Sequence, residues 1–429
     1  MAYLRTSMIE SLAQDARACV VKRSGRVLKV MPKKTFKKII KKNWREKMKI
    51  FFMVLVTLCV FVTMANLAAV PETGPQGPPY QWYDVFSDYP AQQGKIKNPA
   101  IQAPYQFAWE LFCSINKTSP VPNLREWEYW PNQNDVYNDP IHKPVWEKIV
   151  AISLKKPSQL RKTDFSAHGL LCTPQDGFEE VHMNRATFDY IVNNDLWYLE
   201  GQIDAFKKGI VINFPTGAIE VKANWFPIEE NQKDNYLSYT NPQTGQIYGL
   251  FSMHITSKDL PNWFWCTFEH KDNPCYGKSQ KPNDHFGFVD GKITNNLLAM
   301  FKASGLDPAR WSNYRLDGVQ YDFTDPTGRP VILGNSITED GFQTTASCMT
   351  CHSRSTINGK GERLYLFNCS GQSYNGIPDL NWYFAEDVYA KPGLKFLQLD
   401  FVWSLGQARS RKNPDVTPQN ALGNKENCK

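Results

Sequence analysis

The chain has 429 residues, of which 42% are hydrophobic and 13% aromatic. Such a chain can bury a sizeable core, which excludes wholesale disorder. The formal net charge of +7 could suggest a nucleic-acid partner, but residues 1–69 carry 15 Lys and Arg against three Asp and Glu. The rest of the chain has 34 basic and 39 acidic residues. This mildly acidic body predicts no nucleic-acid partner.

An apolar run at residues 50–70 contains no charged side chain. Its 21 residues are enough to cross a bilayer as a helix. Lysines and an arginine precede the run, and this order places the chain that follows outside the cytoplasm. We therefore predict a signal peptide or membrane anchor at residues 48–69, and a periplasmic or other extracytoplasmic body. Membrane contact is expected only through residues 50–70, if they are not cleaved.

The basic extension at residues 1–47 leaves two interpretations open. Met48 and Lys49 followed by the apolar run already form a complete signal peptide, so residues 1–47 could lie upstream of the true start. This is the simpler interpretation. Alternatively, lysines repeated four residues apart beside Phe36, Ile39 and Ile40 could lie on an anionic membrane surface.

A linker rich in Pro, Gly and Gln is expected at residues 70–103, before a central region at residues 104–310. Hydrophobic periodicity predicts both helices and strands in the rest of the chain. The expected elements are helices at Tyr105–Asn116, Thr187–Phe206, Thr294–Ala303 and Leu394–Gln407, strands at Ala218–Trp225, Tyr248–Thr256 and Trp263–His270, and a hairpin at Gly318–Leu333.

Residues 348–352 read Cys-Met-Thr-Cys-His, the C-x-x-C-H spacing of covalent c-type haem attachment. Two thiols three positions apart can reach the two vinyl groups of a porphyrin, and the adjacent imidazole can ligate the iron. A zinc site would need a second ligand pair, which is missing, whereas a plain disulfide stays open. We predict one covalent haem c at Cys348 and Cys351, with His352 as the proximal iron ligand.

The distal side of this haem is harder to assign, because neither Met nor His follows His352. A distal ligand must come from upstream, be a Lys or Tyr, or be absent. Strand alternation places Met253 and His270 on apolar faces that could cover a haem, while His254 points the other way. His270 or Met253 is therefore the candidate distal ligand, although packing in the core explains both more simply. An empty sixth position would let the iron bind a small ligand.

Charged residues on the predicted strands raise a further possibility. Glu220, Lys222 and Glu269 could line a catalytic pocket with His254. Solvated outer strand faces explain these residues more simply, and Ala218–Trp225 is accordingly expected to be a half-buried strand.

Three segments resemble one family: Trp263–Asn273, Val221–Trp225 and Thr345–His352. They are similar to exported bacterial cytochrome c domain-containing proteins, which have a large, poorly characterised N-terminal region and a single C-terminal haem motif. The resemblance spans most of residues 104–407. It implies haem binding and electron transfer through Cys348, Cys351 and His352, and it implies no substrate.

Export also permits disulfides. Cys266 and Cys275 flank a turn at Asn273-Pro274 and could form a local one.

The expected architecture is α+β: a β-rich central region with peripheral helices, then a mostly helical and loop c-type haem segment at residues 311–429 that packs on it. The expected function is electron transfer by an exported monohaem c-type cytochrome, with a redox partner protein or a small-molecule electron donor or acceptor. Two alternatives stay open. One is a peroxidase-like haem oxidoreductase with an open distal site and a substrate pocket in the central region, and the other is a binding protein whose haem is structural. Whether the chain is an enzyme is left open.

Overall fold

A computed structural model describes residues 98–121, 123–150, 176–274, 276–277, 284–368, 371–384 and 393–420. All of these residues belong to one compact unit, which spans residues 77–429. The predicted extension, the apolar run at 50–70 and the linker up to residue 97 lie outside the described residues. None of the helices in the described part of the chain combines the length and apolar character needed to cross a bilayer.

Mixed helix and sheet make up the described chain, with a six-stranded antiparallel sheet at its centre. The strands are β1 (Phe178–Met183), β2 (Ile219–Pro227), β3 (Ser238–Thr240), β4 (Ile247–Ser257), β5 (Phe264–His270), β6 (Phe288–Val289), β7 (Lys292–Ile293), β8 (Tyr314–Gln320), β9 (Thr356–Ile357), β10 (Glu362–Arg363), β11 (Leu397–Gln398) and β12 (Gln419–Asn420). In the central sheet the order is β1-β2-β4-β5-β8, and β3 pairs with β4. The short pairs β6–β7, β9–β11 and β10–β12 lie outside this sheet.

Helices surround the sheet. The described α-helices are α1 (Pro99–Gln102), α2 (Pro104–Asn116), α3 (Gln133–Tyr137), α4 (Trp146–Val150), α5 (Arg185–Asn193), α6 (Leu199–Lys208), α7 (Asn295–Ala303), α8 (Pro308–Trp311) and α9 (Cys348–Ser353). Short 3-10 helices lie at Trp127–Tyr129, Glu230–Gln232, Leu380–Trp382 and Trp403–Gln407. Helix α1 falls within the predicted linker, where Asn98 caps it by accepting a hydrogen bond from the Ala100 N–H.

One face of the sheet, the apolar face, packs against α2. The apolar face includes Ala223 on β2, Met253 on β4 and Phe268 on β5, which lie side by side in register. Helix α2 presents Trp109 and Phe112 to this face, with ring centroids 5.0 and 4.5 Å from that of Phe268. The apolar periodicity of the α2 sequence thus produces the main core of the molecule.

The opposite face, the polar face, is also buried, so its expected exposure to solvent is wrong. Glu220, His254 and Glu269 are only 8%, 9% and 3% exposed. The covering segment, defined as residues 333–353, hydrogen-bonds to this face, for example from the Ser336 N–H to Glu269. On β2, β4 and β5 the polar face consists of Glu220, Lys222, Asn224, Ser252, His254, Thr256, Trp265, Thr267 and Glu269.

Strand β8 belongs to the central sheet, where it pairs with β5. The expected boundary between residues 310 and 311 falls inside α8 (Pro308–Trp311). The central region and the segment from residue 311 therefore share one sheet.

Three expected elements differ in the structure. The helix expected at Thr187–Phe206 is two helices, α5 and α6, separated by residues that include Asp195 at φ 56°. The second strand of the expected hairpin is reduced to a single bridge between Thr324 and Pro330. The helix expected at Leu394–Gln407 is replaced by β11 and a 3-10 helix, since Asp400 and Phe401 both have positive φ.

Candidate functional site

Helix α9 carries the Cys-x-x-Cys-His motif and is attached to the end of β8. The Gln320 side chain donates to the Ser347 hydroxyl at 2.9 Å and accepts from the Met349 N–H at 3.1 Å. Because both partners lie at the start of α9, Gln320 fixes where the helix begins. Cys348 and Cys351 are three positions apart and lie on the same side of the helix.

Both motif cysteines are free thiols. The Cys348 Sγ lies 3.3 Å from the Leu333 carbonyl oxygen, and the Cys351 Sγ lies 3.8 Å from that of Tyr374. Burial raises the pKa of Cys351 to about 12, and raises the pKa of Cys348 well above its ordinary value. The two sulfurs are therefore protonated and are not joined as a disulfide.

The neighbouring His352 is held by a backbone carbonyl. Its Nδ1 lies 2.8 Å from the Phe401 carbonyl oxygen, which can only accept, so Nδ1 carries the proton. Burial lowers the pKa of His352 to about 3, so the imidazole is neutral. Among the described residues none hydrogen-bonds to Nε2, whose lone pair is available. Histidines that bind metals typically have their other nitrogen fixed in this way.

The backbone that carries the Phe401 carbonyl is strained. Asp400 and Phe401 are consecutive non-glycine residues with φ of 49° and 69°. The Asp400 carboxylate holds this conformation, because it accepts from Lys258 Nζ at 2.6 Å and from the Phe214 N–H at 2.7 Å. Strain of this kind is concentrated at functional sites. Here it presents the Phe401 oxygen to His352.

Two indole rings lie beside the His352 imidazole. The ring centroids of Trp265 and Trp403 are 4.4 and 6.3 Å from that of His352. Trp265 lies on β5, so the motif sits against the polar face of the sheet.

His254 lies on this same face and has a defined tautomer. The Asn335 Oδ1 accepts from the N–H groups of Ile337 and Thr338 at 2.9 and 2.7 Å, which fixes the orientation of the amide. The Asn335 Nδ2 therefore donates to His254 Nε2 at 2.7 Å, and the His254 proton resides on Nδ1. Burial, with further contributions from Lys222 and His352, lowers the pKa of His254 well below its ordinary value.

A buried carboxyl pair lies further along the polar face. The Glu269 carboxylate accepts from the Ser336 N–H at 2.5 Å, the Ser336 hydroxyl at 2.7 Å and the Asn273 amide at 2.6 Å. Asp317 is the unpaired residue of a β-bulge in β8, which brings its side chain to Glu269. Burial and the Glu269 charge raise the pKa of Asp317 well above its ordinary value, which favours the protonated form of this carboxyl.

Lys222 and Glu339 are two further titratable groups near the motif. The Glu339 carboxylate lies 3.5 Å from His254 Nε2, and burial raises its pKa to about 7. Burial alone would lower the pKa of Lys222, but Glu179, Glu339 and Glu220 outweigh it and raise that pKa.

Neither candidate distal ligand lies on the side of the motif. Met253 is in the core on the apolar face, where its Sδ lies 3.9 Å from the Asn116 amide nitrogen. His270 accepts from the Asp272 N–H at Nδ1 and donates from Nε2 to the Asn235 carbonyl, at 3.2 and 3.1 Å. Both of its nitrogens are used, so no lone pair is left for iron. The positions of Met253 and His270 do not fit a distal-ligand role. His254, which strand alternation places on the opposite side of the sheet from them, lies on the polar face, next to the motif.

Sequence reasoning missed several residues of the site, namely Asn335, Asp317, Glu339 and Arg354. Only Arg354 has a local signal, since it is a cation two residues after His352. Cys266 is a buried free thiol, 3.6 Å from the Ile255 carbonyl oxygen. Its proposed partner Cys275 lies outside the described residues, so that disulfide stays a prediction.

In the described residues, no group of three or more His, Cys, Asp and Glu side chains is arranged to hold a metal ion. A haem iron is different, because the porphyrin supplies four ligands and the protein only one or two. No family model matches the chain, and no curated protein or solved structure matches it either. A functional proposal for this chain therefore rests on its own residues and their geometry.

Proposed function

We propose that the chain is an exported monohaem c-type cytochrome that acts in electron transfer. The observation that carries this proposal is the His352 imidazole, held neutral with Nδ1 on the Phe401 carbonyl and Nε2 free, beside two free thiols. These residues fit a covalently attached haem c. Cys348 and Cys351 would hold it by thioether bonds and His352 would be its proximal ligand. When bound, the haem supplies reversible one-electron chemistry.

The chain's own residues prepare this site. The Phe401 carbonyl fixes the tautomer and the direction of the His352 ring. Trp265 and Trp403 pack beside the ring and limit the access of water to it. Where water is kept away from a haem ligand, nearby charges have a larger effect on the relative stability of the oxidised and reduced iron. This packing would therefore tune the reduction potential of the haem.

The proposed location is extracytoplasmic, with the leader at residues 48–69 acting as signal peptide or anchor. The body of the protein is mildly acidic outside the leader. A redox partner with a basic surface would complement this charge.

Covalent haem is the first property to measure. The full chain is expressed in a bacterium that matures c-type cytochromes, and haem is detected on the denatured polypeptide. We expect the wild type to carry haem, and the double variant Cys348→Ala/Cys351→Ala to lose it. Cys113→Ala, which alters another buried free thiol on α2, is the control and should retain haem. A wild-type chain without covalent haem, made in a strain that loads other cytochromes, would contradict the proposal.

A peroxidase-like haem oxidoreductase is the second candidate. The cluster of buried and partly buried titratable groups beside the motif favours it, because His254, Glu339 and Lys222 have perturbed pKa values. The apolar-face residues Met253 and His270 do not fit a distal ligand, which also favours an open site.

Optical spectra of the oxidised and reduced protein, with and without carbon monoxide, separate the two candidates. Low-spin iron that is indifferent to carbon monoxide supports the electron carrier. High-spin iron that binds carbon monoxide supports the oxidoreductase.

A further inference from the structure

Arg354 is a buried cation at the end of the motif helix. It is 3% exposed, and its backbone N–H donates to the Cys351 carbonyl at 3.1 Å. It thus caps α9 two residues after His352. The proposed attachment of haem through Cys348, Cys351 and His352 does not involve this side chain.

The Arg354 guanidinium is surrounded by aromatic rings and a backbone carbonyl. Its Cζ lies 4.0 Å from the ring centroid of Tyr374 and 4.2 Å from that of Trp382. Its Nε donates to the Tyr365 carbonyl oxygen at 2.6 Å. Its Nη1 is buried and has no hydrogen-bond partner among the residues that the structure describes. In the described part of the chain, no carboxylate forms an ion pair with Arg354.

A buried guanidinium without a counter-charge is unfavourable, because its hydration is lost and nothing negative replaces it. Contacts with aromatic rings compensate only part of this loss. An unpaired N–H on a planar cation is the group that a carboxylate satisfies best, through short charge-assisted hydrogen bonds. Among the described residues, the environment of Arg354 therefore lacks an anion.

Tyr374 links this cation to the haem motif. Its ring contacts the Arg354 guanidinium, while its carbonyl oxygen lies 3.8 Å from the Cys351 Sγ. The unpaired Nη1 thus belongs to the same site as the thiol that would hold the haem.

We propose that Arg354 is a carboxylate-binding residue of this site. Its ligand is either a carboxylate side group of the attached haem or a small carboxylate molecule that binds beside it. The first source rests on the proposed haem attachment, and the second does not.

The test uses the full-length protein as purified, with Arg354→Gln, Arg354→Lys and a control. Arg411→Gln is the matched control, because Arg411 also packs on an aromatic ring, 3.4 Å from the Tyr198 centroid, but on the surface. Resonance Raman spectra report the bending mode of the haem carboxylates. Calorimetric titration with acetate reports binding of a small carboxylate.

A Raman shift of the carboxylate mode in Arg354→Gln, but not in Arg411→Gln, supports the haem as the source. Acetate binding by the wild type that weakens at least tenfold in Arg354→Gln supports a small carboxylate. If Arg354→Gln does not fold, Arg354→Lys provides the same two readouts, because it keeps the charge but loses the planar pair of donors. The absence of both effects overturns the proposal.

Glu386 and Asp387 follow Trp382 by four and five positions in the sequence and lie outside the described residues, so they are tested as a competing source of a carboxylate within the chain. Acetate binding that appears only in Glu386→Gln/Asp387→Asn would show that the chain fills its own site, and would overturn the proposal. If the wild-type protein carries no covalent haem, the proposed function is contradicted, but the proposal for Arg354 is not. Acetate titration of that haem-free protein then decides the role of Arg354.

Discussion

The two faces of the central sheet are both buried, but by different physical means. On the apolar face, α2 packs rings such as Trp109 and Phe112 against Phe268. On the polar face, the covering segment makes directional hydrogen bonds to Glu269 and His254. Apolar burial is roughly proportional to area and tolerates small shifts, whereas hydrogen bonds require defined geometry. The apolar face therefore supplies stability, and the polar face fixes where the Cys-x-x-Cys-His motif lies.

Energies support this division. Burying a large aromatic side chain stabilises the fold by about 1.5–3 kcal/mol or more, whereas a hydrogen bond contributes a net of about 1 kcal/mol. Buried charges such as Glu220 are weak evidence for stability. Substitutions at four positions test this difference between the two faces, each measured by the free energy of unfolding in denaturant.

Phe112→Ala tests the apolar face and should have the largest effect. Phe112 is fully buried and contacts Phe268, Trp311 and Tyr314. We expect a loss of about 3–5 kcal/mol, because a large cavity is left in the core. Val211→Ala, at an exposed position, is the control and should leave the stability unchanged. A loss below about 1 kcal/mol would show that α2 does not anchor the core.

Glu220→Gln tests the cost of burying charge on the polar face. Burial raises the pKa of Glu220 to about 7 from an ordinary value of 4.5. Between these pH values the folded chain keeps a proton that the unfolded chain has released. The free energy of unfolding should therefore fall as the pH rises from 4.5 to about 7, with Glu220 contributing up to about 3 kcal/mol.

In Glu220→Gln this decrease should be smaller, as measured by unfolding at pH 5 and pH 8. Glu230→Gln, at an exposed position, should retain the wild-type pH dependence. An unchanged pH dependence in Glu220→Gln would mean that this carboxylate is solvated.

Asn335→Ala tests the link between the covering segment and the polar face. It leaves the Ile337 and Thr338 N–H groups and His254 Nε2 without their partner. We expect a loss of about 2 kcal/mol. Asn335→Asp is the sharper variant, since it keeps the acceptor for the turn but presents an oxygen to Nε2. Nitrogen NMR should then show the His254 proton moving from Nδ1 to Nε2, and no movement would contradict the tautomer assigned here.

Met253→Leu should have the smallest effect. It nearly conserves volume in the core, so we expect a loss below about 1.5 kcal/mol and an unchanged visible spectrum of the haem-loaded protein. A switch from low-spin to high-spin iron would instead show that Met253 is a distal ligand.

Local patterns in the sequence predict part of this structure well. Periodicity predicts α2, α7, β2, β4 and β5, whose bounds agree with the expected ones to within two residues. It cannot tell which face of a strand another segment will cover. Asn335, which binds His254, is 81 residues away from it in sequence. The burial of the polar face, and with it the position of the motif, depends on contacts of this range.

The helix predicted at Leu394–Gln407 is wrong for the same reason. Its apolar pattern is compatible with a helix, but Asp400 is bound by Lys258, 142 residues away, and by Phe214, 186 residues away. These contacts hold Asp400 and Phe401 at positive φ, which a helix does not allow. Propensity is a weak preference that tertiary contacts override.

The buried motif thiols constrain the order of biogenesis under the proposed function. In the folded chain Cys348 and Cys351 are 9% and 8% exposed, and burial keeps them protonated. Thioether formation needs accessible, reactive sulfurs. Attachment must therefore precede the docking of the covering segment onto the sheet. A chain that folds before it meets the maturation machinery would bury its thiols and could no longer receive haem.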